Sequence, residues 1–365
     1  MLLGACGGDG ENGASAGAEA TVLLADTRVQ DWAWLSNGRE ILYSTPFDYP
    51  YTGPPTRFEA IDVATGGRRV VVPPPPDGDR IIATRFGVYG PFLYYLQADA
   101  GYRETRIRRA RVDGSAPPEP LAFATAPGSL LSPGSSIAAS TDGSRLAWLE
   151  GRTLVVGNLR EGTTRSYPLP EWADRLSIAP DGLSLVAVPL GWSSRGTPLQ
   201  WVDLATGSVR VWNAPGSIEP GPLSEPYPER QIAWESGGPM FYAILNRQSV
   251  VRFSMASGAA EELAVLGPNG PTPAFAWAAD YRQVAFWKSQ CVKTRPPLFV
   301  GDPPFCVASE HELRILGWAP RRELEVGLVK TSGNASDVPA TTLKFSPDGR
   351  FIAYASQGIS LIPVP

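Results

Sequence analysis

Short apolar stretches that follow glycine-containing turns recur along the chain, and their pattern is the first guide to its fold. The stretch FSPDGRFIAYAS (345–356) places a tight-turn signal, Pro347-Asp348-Gly349, before a strand that is apolar or aromatic from Phe351 to Ala355. A strand at a sheet surface alternates apolar with polar residues. The pattern therefore predicts a strand that is covered on both faces.

The same turn and strand recur in seven units. Their anchor positions are Gly38, Gly90, Gly143, Gly182, Gly238, Tyr281 and Gly349. The third, fourth and fifth residues after each anchor are apolar or aromatic, and in six units so are the sixth and fourth residues before it. A second glycine turn ends a later strand in most units, as in VDLATGS (202–208). Most units therefore predict four strands, named A to D in chain order.

Units of about 40–50 residues with four strands are typical of propeller blades. Neighbouring blades pack face to face, so their inner strands are covered on both sides, whereas a β-sandwich leaves one side of each strand in water. We therefore predict an all-β, seven-bladed β-propeller that occupies residues 20–365 as a single domain. Six or eight blades are the alternatives.

The two ends of the chain predict how the ring closes. The last unit has room for strands A, B and C but not D, and residues 20–28 (ATVLLADTR) precede the first unit without a partner. A strand from this N-terminal segment would complete the last blade and remove its open edge. We expect this strand to join the two ends of the propeller.

The quoted motifs resemble those of one known family. The S-P-D-G turn with its aromatic and aliphatic strand, and the D-L-A-T-G turn at 203–207, are similar to the WD-repeat-like blades of TolB-type propellers over residues 28–365. The resemblance implies the fold. Because such blades occur in periplasmic scaffold proteins, peptidase accessory domains, lyases and lipoproteins, it does not select one function.

Composition and charge narrow the partner classes. Hydrophobic residues make up 43% of the chain and charged residues 19%, as in a globular protein, and the net charge is -4. This charge gives no reason to expect nucleic acid or an anionic membrane surface as a partner. No apolar run approaches the roughly 20 residues of a membrane-spanning helix.

The N-terminal segment predicts export. Residues 3–6 (LGAC) resemble a bacterial lipobox, in which Cys6 would be lipidated, and the small and polar residues up to 19 would form a flexible tether. Only Met1 and Leu2 precede the motif, which a start codon assigned too late or a trimmed chain would explain. The prediction is a lipoprotein on the outer side of the cytoplasmic membrane, or a periplasmic protein, that contacts the membrane only through its lipid. An ordinary flexible terminus is the alternative.

Cys291 and Cys306 flank the longest insertion, in the sixth unit. Strand B enters this insertion and strand C leaves it, so we expect the two cysteines to face each other at its mouth. We predict a disulfide, which for a loop of about 15 residues contributes about 3 kcal/mol in the chain-entropy treatment. It agrees with an oxidising compartment. Two free thiols are the alternative.

Long connections with aromatic and arginine residues predict a recognition surface. The B–C and D–A connections share one side of the disc, and aromatic and arginine side chains are common at binding sites. The candidates for this binding face are Phe47, Tyr49, Tyr51, Tyr102, Arg103, Glu104, Trp192, Arg195, Tyr227 and Arg230. The alternative is that the aromatic residues pack down and stiffen proline-rich loops.

The residues give little sign of catalytic or metal chemistry. The single histidine, His311, lies between Glu310 and Glu312, and on a strand it points away from both, so no zinc site is predicted. No cofactor and no catalytic residue is assigned. The predicted function is a monomeric propeller that binds a protein, peptide or glycan at the cell envelope. The alternative is a glycan lyase or hydrolase with its site at the mouth of the central channel.

Overall fold

The chain folds into short antiparallel strands. The computed structural model describes residues 20–25, 29, 32–44, 56–76, 78–100, 105–121, 137–140, 142–173, 175–189, 198–214, 232–235, 240–245, 249–266, 275–278, 282–295, 305–318, 321–331, 342–355 and 358–364. Within these ranges, the backbone alone is described at 82–85, 289–295, 305–311, 321–325, 327–331 and 342. The described residues form strands and no helix, and hence no helix that could cross a membrane. The predicted all-β class is confirmed.

The described strands form seven four-stranded antiparallel sheets. The first three sheets contain β2 (Trp32–Trp34), β3 (Glu40–Ser44), β4 (Phe58–Asp62) and β5 (Arg68–Val72); β6 (Arg80–Tyr89), β7 (Phe92–Ala98), β8 (Thr105–Arg111) and β9 (Glu119–Pro120); and β10 (Ile137–Ala139), β11 (Arg145–Glu150), β12 (Thr153–Asn158) and β13 (Thr163–Pro168). The next two contain β14 (Arg175–Ile178), β15 (Ser184–Val188), β16 (Pro198–Asp203) and β17 (Val209–Asn213); and β18 (Ala233–Trp234), β19 (Met240–Leu245), β20 (Ser249–Ser254) and β21 (Ala260–Val265). The last two contain β22 (Phe275–Trp277), β23 (Gln283–Arg295), β24 (Phe305–Trp318) and β25 (Arg321–Thr331); and β26 (Thr342–Phe345), β27 (Phe351–Ala355), β28 (Ile359–Pro363) and β1 (Thr21–Leu24).

The hydrophobic core lies between the sheets. Among the described residues it divides into seven clusters, and each cluster joins two consecutive sheets. One of them joins Leu24 and Ala353 of the last sheet to Trp32 and Ile41 of the first, which closes the ring. At four junctions the first strands of neighbouring sheets contact one another (β2 with β6, β6 with β10, β10 with β14, and β22 with β26), as expected for strands at the centre of a ring. This arrangement is the predicted seven-bladed propeller.

The N-terminal strand closes the last blade, as predicted. Strand β1 pairs antiparallel with β28, with Thr21 opposite Leu361. Two tryptophans of the first blade strengthen the junction. The Trp34 Nε1–H donates to the carbonyl oxygen of Lys344 over 3.2 Å, and the Lys344 Nζ lies 3.9 Å from the centre of the Trp32 ring. The two ends of the chain therefore meet in a buried contact rather than at an open sheet edge.

Strand β27 is buried on both faces, which explains its uninterrupted apolar sequence. Ala353 packs with the first blade, together with the partly buried Phe351 and Ala355. Ile352 and Tyr354 point the other way and pack with the sixth blade. Complete burial of one large apolar side chain stabilises the fold by about 1.5–3 kcal/mol. An inner strand that packs on both faces therefore contributes much of the free energy of unfolding.

The repeated serine, aspartate and glycine of the A–B turns form one hydrogen-bonded unit. In the last blade the Ser346 hydroxyl donates to Asp348 Oδ1 over 2.6 Å, and the amide of Phe351 donates back to Ser346 Oγ over 2.9 Å. Gly349 has φ +72° with open space around a would-be Cβ, so its role is conformational. The Ser346 hydrogen bond, aided by Arg350, lowers the pKa of Asp348 to about 2 despite partial desolvation. These polar residues therefore build the turn.

The sixth blade differs from the expected strand–loop–strand arrangement. Strands β23 and β24 have 13 and 14 residues, whereas the second strands of the other blades have 5 to 7. Both strands continue through the positions where the sequence predicted a loop mouth, because the insertion extends the hairpin instead of interrupting it. A fourth strand, β25, pairs along β24 as far as Thr331.

Candidate functional site

The disc has two sides with different connections. The A–B and C–D turns form the turn side, and the B–C and D–A connections form the loop side. All ten residues predicted for the binding face lie outside the described residues, as does Cys6: Phe47, Tyr49, Tyr51, Tyr102, Arg103, Glu104, Trp192, Arg195, Tyr227 and Arg230. Their roles therefore stay predictions, and the described part of the loop side supplies the site.

A cavity of about 290 Å³ opens between the first and second blades toward the loop side. We call it the proline groove. Its described lining consists of Val72, Pro73, Pro74, Pro75, Pro76, Asp79, Tyr95, Gln97, Arg108 and Pro118. Its volume is near the lower end of the range for ligand sites.

The backbone explains how these residues come together. Strand β5 ends at the buried Val72, and the four prolines that follow cannot donate to a sheet ladder, so the strand stops there and its continuation forms one wall. On the second blade, Tyr95 of β7 lies directly opposite Arg108 of β8. Directly opposite residues of an antiparallel pair share one face, so both belong to the side that packs toward the first blade.

The floor of the proline groove is aromatic and buried. Tyr95 is 1% exposed and packs edge-on against Phe58 of the first blade, with 5.4 Å between ring centres. Phe58 also packs edge-on against Phe86 at 4.8 Å. Nearer the rim, the Gln97 Nε2–H donates to Asp79 Oδ2 over 2.8 Å. The groove therefore has a rigid floor and a polar rim.

The arginine of the proline groove differs from its neighbours on the strand, because the described residues offer its Nε no acceptor. Arg109 and Arg111, on the same strand as Arg108, pair with Glu119 and Asp113. Arg108 has no ion pair among the described residues, and its buried Nε has no hydrogen-bond partner there. Burial raises the pKa of Tyr95 to about 12, against the opposing effect of the Arg108 charge. At neutral pH the groove thus offers one cation and one neutral hydroxyl, both of which can donate.

A second cavity, of about 220 Å³, lies between the third and fourth blades and opens toward the turn side. We call it the turn-side groove. Its described lining consists of Arg145, Val156, Asn158, Glu161, Thr163, Thr164, Arg165, Tyr167, Leu204 and Ala205. The Tyr167 hydroxyl donates to the carbonyl oxygen of Leu204 on the next blade over 3.2 Å. Here the buried hydroxyl is part of the contact between blades.

A hydrogen-bonded cluster stands at the base of the first blade's B–C loop, which contains three of the predicted face residues. The Tyr43 hydroxyl donates to Glu59 Oε2 over 2.6 Å, and the Arg57 Nε–H donates to Glu59 Oε1 over 2.7 Å. Burial, followed by the Glu59 hydrogen bond, raises the pKa of Tyr43. Each member has a partner, so the cluster fixes the start of the loop.

The inner strands carry two buried cations near the central channel. Arg175 on β14 is 6% exposed and Lys344 on β26 is 5% exposed. Lys344 lies against the Trp32 ring at the ring closure. The channel mouth is where the alternative enzymatic function would place its site. No group of three metal-ligating side chains occurs among the described residues.

The cysteines and the histidine of the sixth blade lie on its long strands. The sequence predicted that the two cysteines lie opposite each other. The register instead places Cys291 opposite Ser309 and Cys306 opposite Thr294. The side chains of both cysteines lie outside the described part of the chain, so the disulfide stays a prediction. His311 lies on β24 opposite Ser289, on a strand as predicted.

Comparison with known proteins shows the fold. No family model and no curated protein matches the sequence. A solved oligogalacturonate lyase in complex with manganese is similar over 96% of this chain and 94% of its own, with a TM-score of 0.60 and 12% identity. An oligogalacturonate lyase from Vibrio parahaemolyticus (TM-score 0.58, 12% identity, 95% and 94% covered) and Kuenenia stuttgartiensis hydrazine synthase (0.55, 13%, 97% and 98%) are also similar. At these identities the likeness is one of fold alone.

The proline groove was not predicted from the sequence, although one signal for it is visible. Four consecutive prolines (73–76) end the first unit, where a D–A connection begins. Such a run is incompatible with an inner strand and indicates an extended wall between blades. Nothing in the sequence shows that Arg108, unlike Arg109 and Arg111, has no carboxylate partner among the described residues. That difference depends on which face each residue takes in the folded sheet.

Proposed function

We propose that this chain is an exported, lipid-anchored propeller of the TolB type that binds a protein, peptide or glycan at the cell envelope. One observation carries the binding role: the proline groove is preformed on the loop side and contains Arg108 with no acceptor among the described residues. A buried donor without an acceptor costs about 1–3 kcal/mol, which a bound ligand would recover. We expect the predicted face residues, which belong to B–C and D–A connections, to extend this contact.

Capture of partners from cell envelopes tests the binding role. The parent chain and the variant Pro118→Trp are used as separate baits. The substitution puts a large ring at the wall of the groove. Pro117→Trp is the matched control, because Pro117 is exposed and does not line the groove. We expect Pro118→Trp to lose a partner that the parent chain and Pro117→Trp both retain. Equal recovery by all three would contradict a binding role for the groove.

The larger loops test how far the surface extends. Variants without residues 46–56 or 189–198 remove three and two of the predicted face residues. We expect each variant to recover less partner than the parent chain. If both recover as much, the aromatic residues of these loops do not belong to the binding surface.

The anchor and the disulfide are proposed on sequence grounds. Labelling cells with a fatty acid should mark the parent chain and not Cys6→Ala, and an unlabelled parent chain would contradict lipidation.

Mass analysis of the oxidised chain should find Cys291 and Cys306 joined. Since a disulfide brings two Cα atoms within about 7 Å, it would require a shift from the register described. Two alkylatable thiols would refute the bond.

The second candidate is a glycan lyase or hydrolase with its site at the channel mouth. The observation that favours it is the likeness in fold to two oligogalacturonate lyases. The assay is incubation with oligogalacturonate, with and without manganese, followed by detection of shortened or unsaturated products. Product formation that Arg175→Gln and Lys344→Gln abolish in correctly folded protein would favour this candidate.

A further inference from the structure

We propose that the proline groove recognises a carboxylate carried by an extended peptide, with Arg108 and Tyr95 as its donors. This inference rests on the proposed binding role of the groove and names the ligand class. It differs from the predicted face, because none of its donors lies in the large loops.

The first step concerns the donors. Arg108 and Tyr95 are cross-strand partners on the face toward the first blade, and both line the cavity. The Arg108 Nε is buried without an acceptor among the described residues, while Arg109 and Arg111 on the same strand have carboxylate partners. A carboxylate between the guanidinium and the hydroxyl would receive charge-assisted hydrogen bonds. The described part of the groove therefore has no carboxylate partner for Arg108, unlike the surroundings of Arg109 and Arg111.

The second step concerns the charge of the ligand. Asp79 lies at the rim and accepts a hydrogen bond from Gln97. Its negative charge partly offsets that of Arg108 and disfavours a doubly charged phosphate group. A carboxylate, which carries a single charge, therefore fits the groove better than a phosphate group does.

The third step concerns the wall. The prolines at 73–76 have no N–H groups, so their backbone offers carbonyl acceptors and no donors. An extended peptide supplies the complementary N–H donors and can present an acidic side chain to Arg108. A glycan can also donate, through its hydroxyl groups, but the described lining has no tryptophan, and its one aromatic ring, Tyr95, is too buried for a sugar ring to stack on it. The groove therefore fits an acidic peptide better than an acidic glycan.

Selection from a random peptide library tests the ligand class directly. Random seven-residue peptides displayed on phage are selected on the full chain and counter-selected on Arg108→Gln. We expect the enriched peptides to share an Asp or Glu. Enrichment of peptides without an acidic residue, or no enrichment at all, would overturn the proposal.

Titration of one enriched peptide measures the contribution of each donor. We expect Arg108→Gln to weaken binding at least tenfold, as should replacing the peptide's acidic residue by its amide, because a charge-assisted hydrogen bond is lost. Arg108→Lys keeps the charge but not the planar fork and should lose less, and Tyr95→Phe should lose a few-fold. Arg165→Gln, an exposed arginine of the turn-side groove, is the control and should bind as the parent does.

Each alternative outcome is distinct. Unchanged affinity in Arg108→Gln, with an unchanged melting temperature, overturns carboxylate recognition. Displacement of the peptide by polygalacturonate at lower concentration than by the free peptide would assign the groove to an acidic glycan instead. A partner that is lost with Pro118→Trp but kept with Arg108→Gln would leave the proposed binding role standing and overturn this inference alone.

Discussion

The proline groove and the turn-side groove are built on the same contact between blades but treat their polar groups differently. In the turn-side groove, Tyr167 reaches across to the Leu204 carbonyl, so the neighbouring blade satisfies its hydroxyl. In the proline groove, the buried Arg108 Nε finds no acceptor among the described residues, and Tyr95 beside it lines the cavity. A polar group that the fold satisfies stabilises the fold, whereas one that the fold leaves open is available to a ligand.

The largest effect should come from the packing beneath the proline groove. Phe58 is fully buried between Phe86 and Tyr95, so Phe58→Ala should lower the free energy of unfolding by about 3–5 kcal/mol. Chemical denaturation measures this. Leu183→Ala, at a half-exposed turn residue, should stay within about 0.5 kcal/mol. If Phe58→Ala costs no more than this control, the groove floor is not a true blade contact.

The fold could be predicted largely from the sequence because its signals are local and repeated. The turn at Ser346 to Gly349 recurs at Ser140 to Gly143 with the same hydrogen bond from serine to aspartate, 2.6 Å in both. Burial of both faces follows directly from the apolar run after the turn. Repetition made the prediction robust to a weak unit such as the one at Gly238.

The site could not be predicted in the same way because it depends on pairing. The insertion between the two cysteines contains four prolines and was interpreted as a loop, yet it continues the ladder through Arg295 opposite Phe305. Arg108 and Arg109 are adjacent in sequence but take opposite faces of the sheet, and only Arg109 meets a carboxylate among the described residues. Such differences appear only once the register is known.

The next largest effect should distinguish the Tyr167 hydroxyl from the Tyr95 hydroxyl. Tyr167→Phe removes the hydrogen bond to Leu204 and leaves a buried carbonyl without its donor, so it should cost about 1–2 kcal/mol of unfolding free energy. Tyr95→Phe removes no hydrogen bond found among the described residues and should change stability by less than about 0.5 kcal/mol at neutral pH. Equal losses in parallel denaturation curves would erase the distinction between the two grooves.

Alkaline pH should show the burial of Tyr95. Its folded pKa of about 12 lies above the value near 10 of an unfolded tyrosine, so its contribution is complete below pH 10 and is lost as pH rises through 12. Between about pH 8 and about pH 11 the parent chain should therefore lose about 1 kcal/mol more stability than Tyr95→Phe. Denaturation at both pH values measures this, and identical pH dependence would place the hydroxyl in water.

The smallest effect should be the most informative about function. Arg108→Met removes a buried Nε that has no acceptor among the described residues, while its apolar side chain keeps the packing of the arginine stem, so unfolding free energy should stay constant or rise by about 0.5 kcal/mol. Arg109→Met, on the same strand, breaks the pair with Glu119 and should lose up to about 1 kcal/mol. A residue that can be removed without loss of stability is one whose charge the fold does not use. If Arg108→Met instead destabilises the chain more than Arg109→Met does, Arg108 belongs to the architecture, and the two grooves are alike.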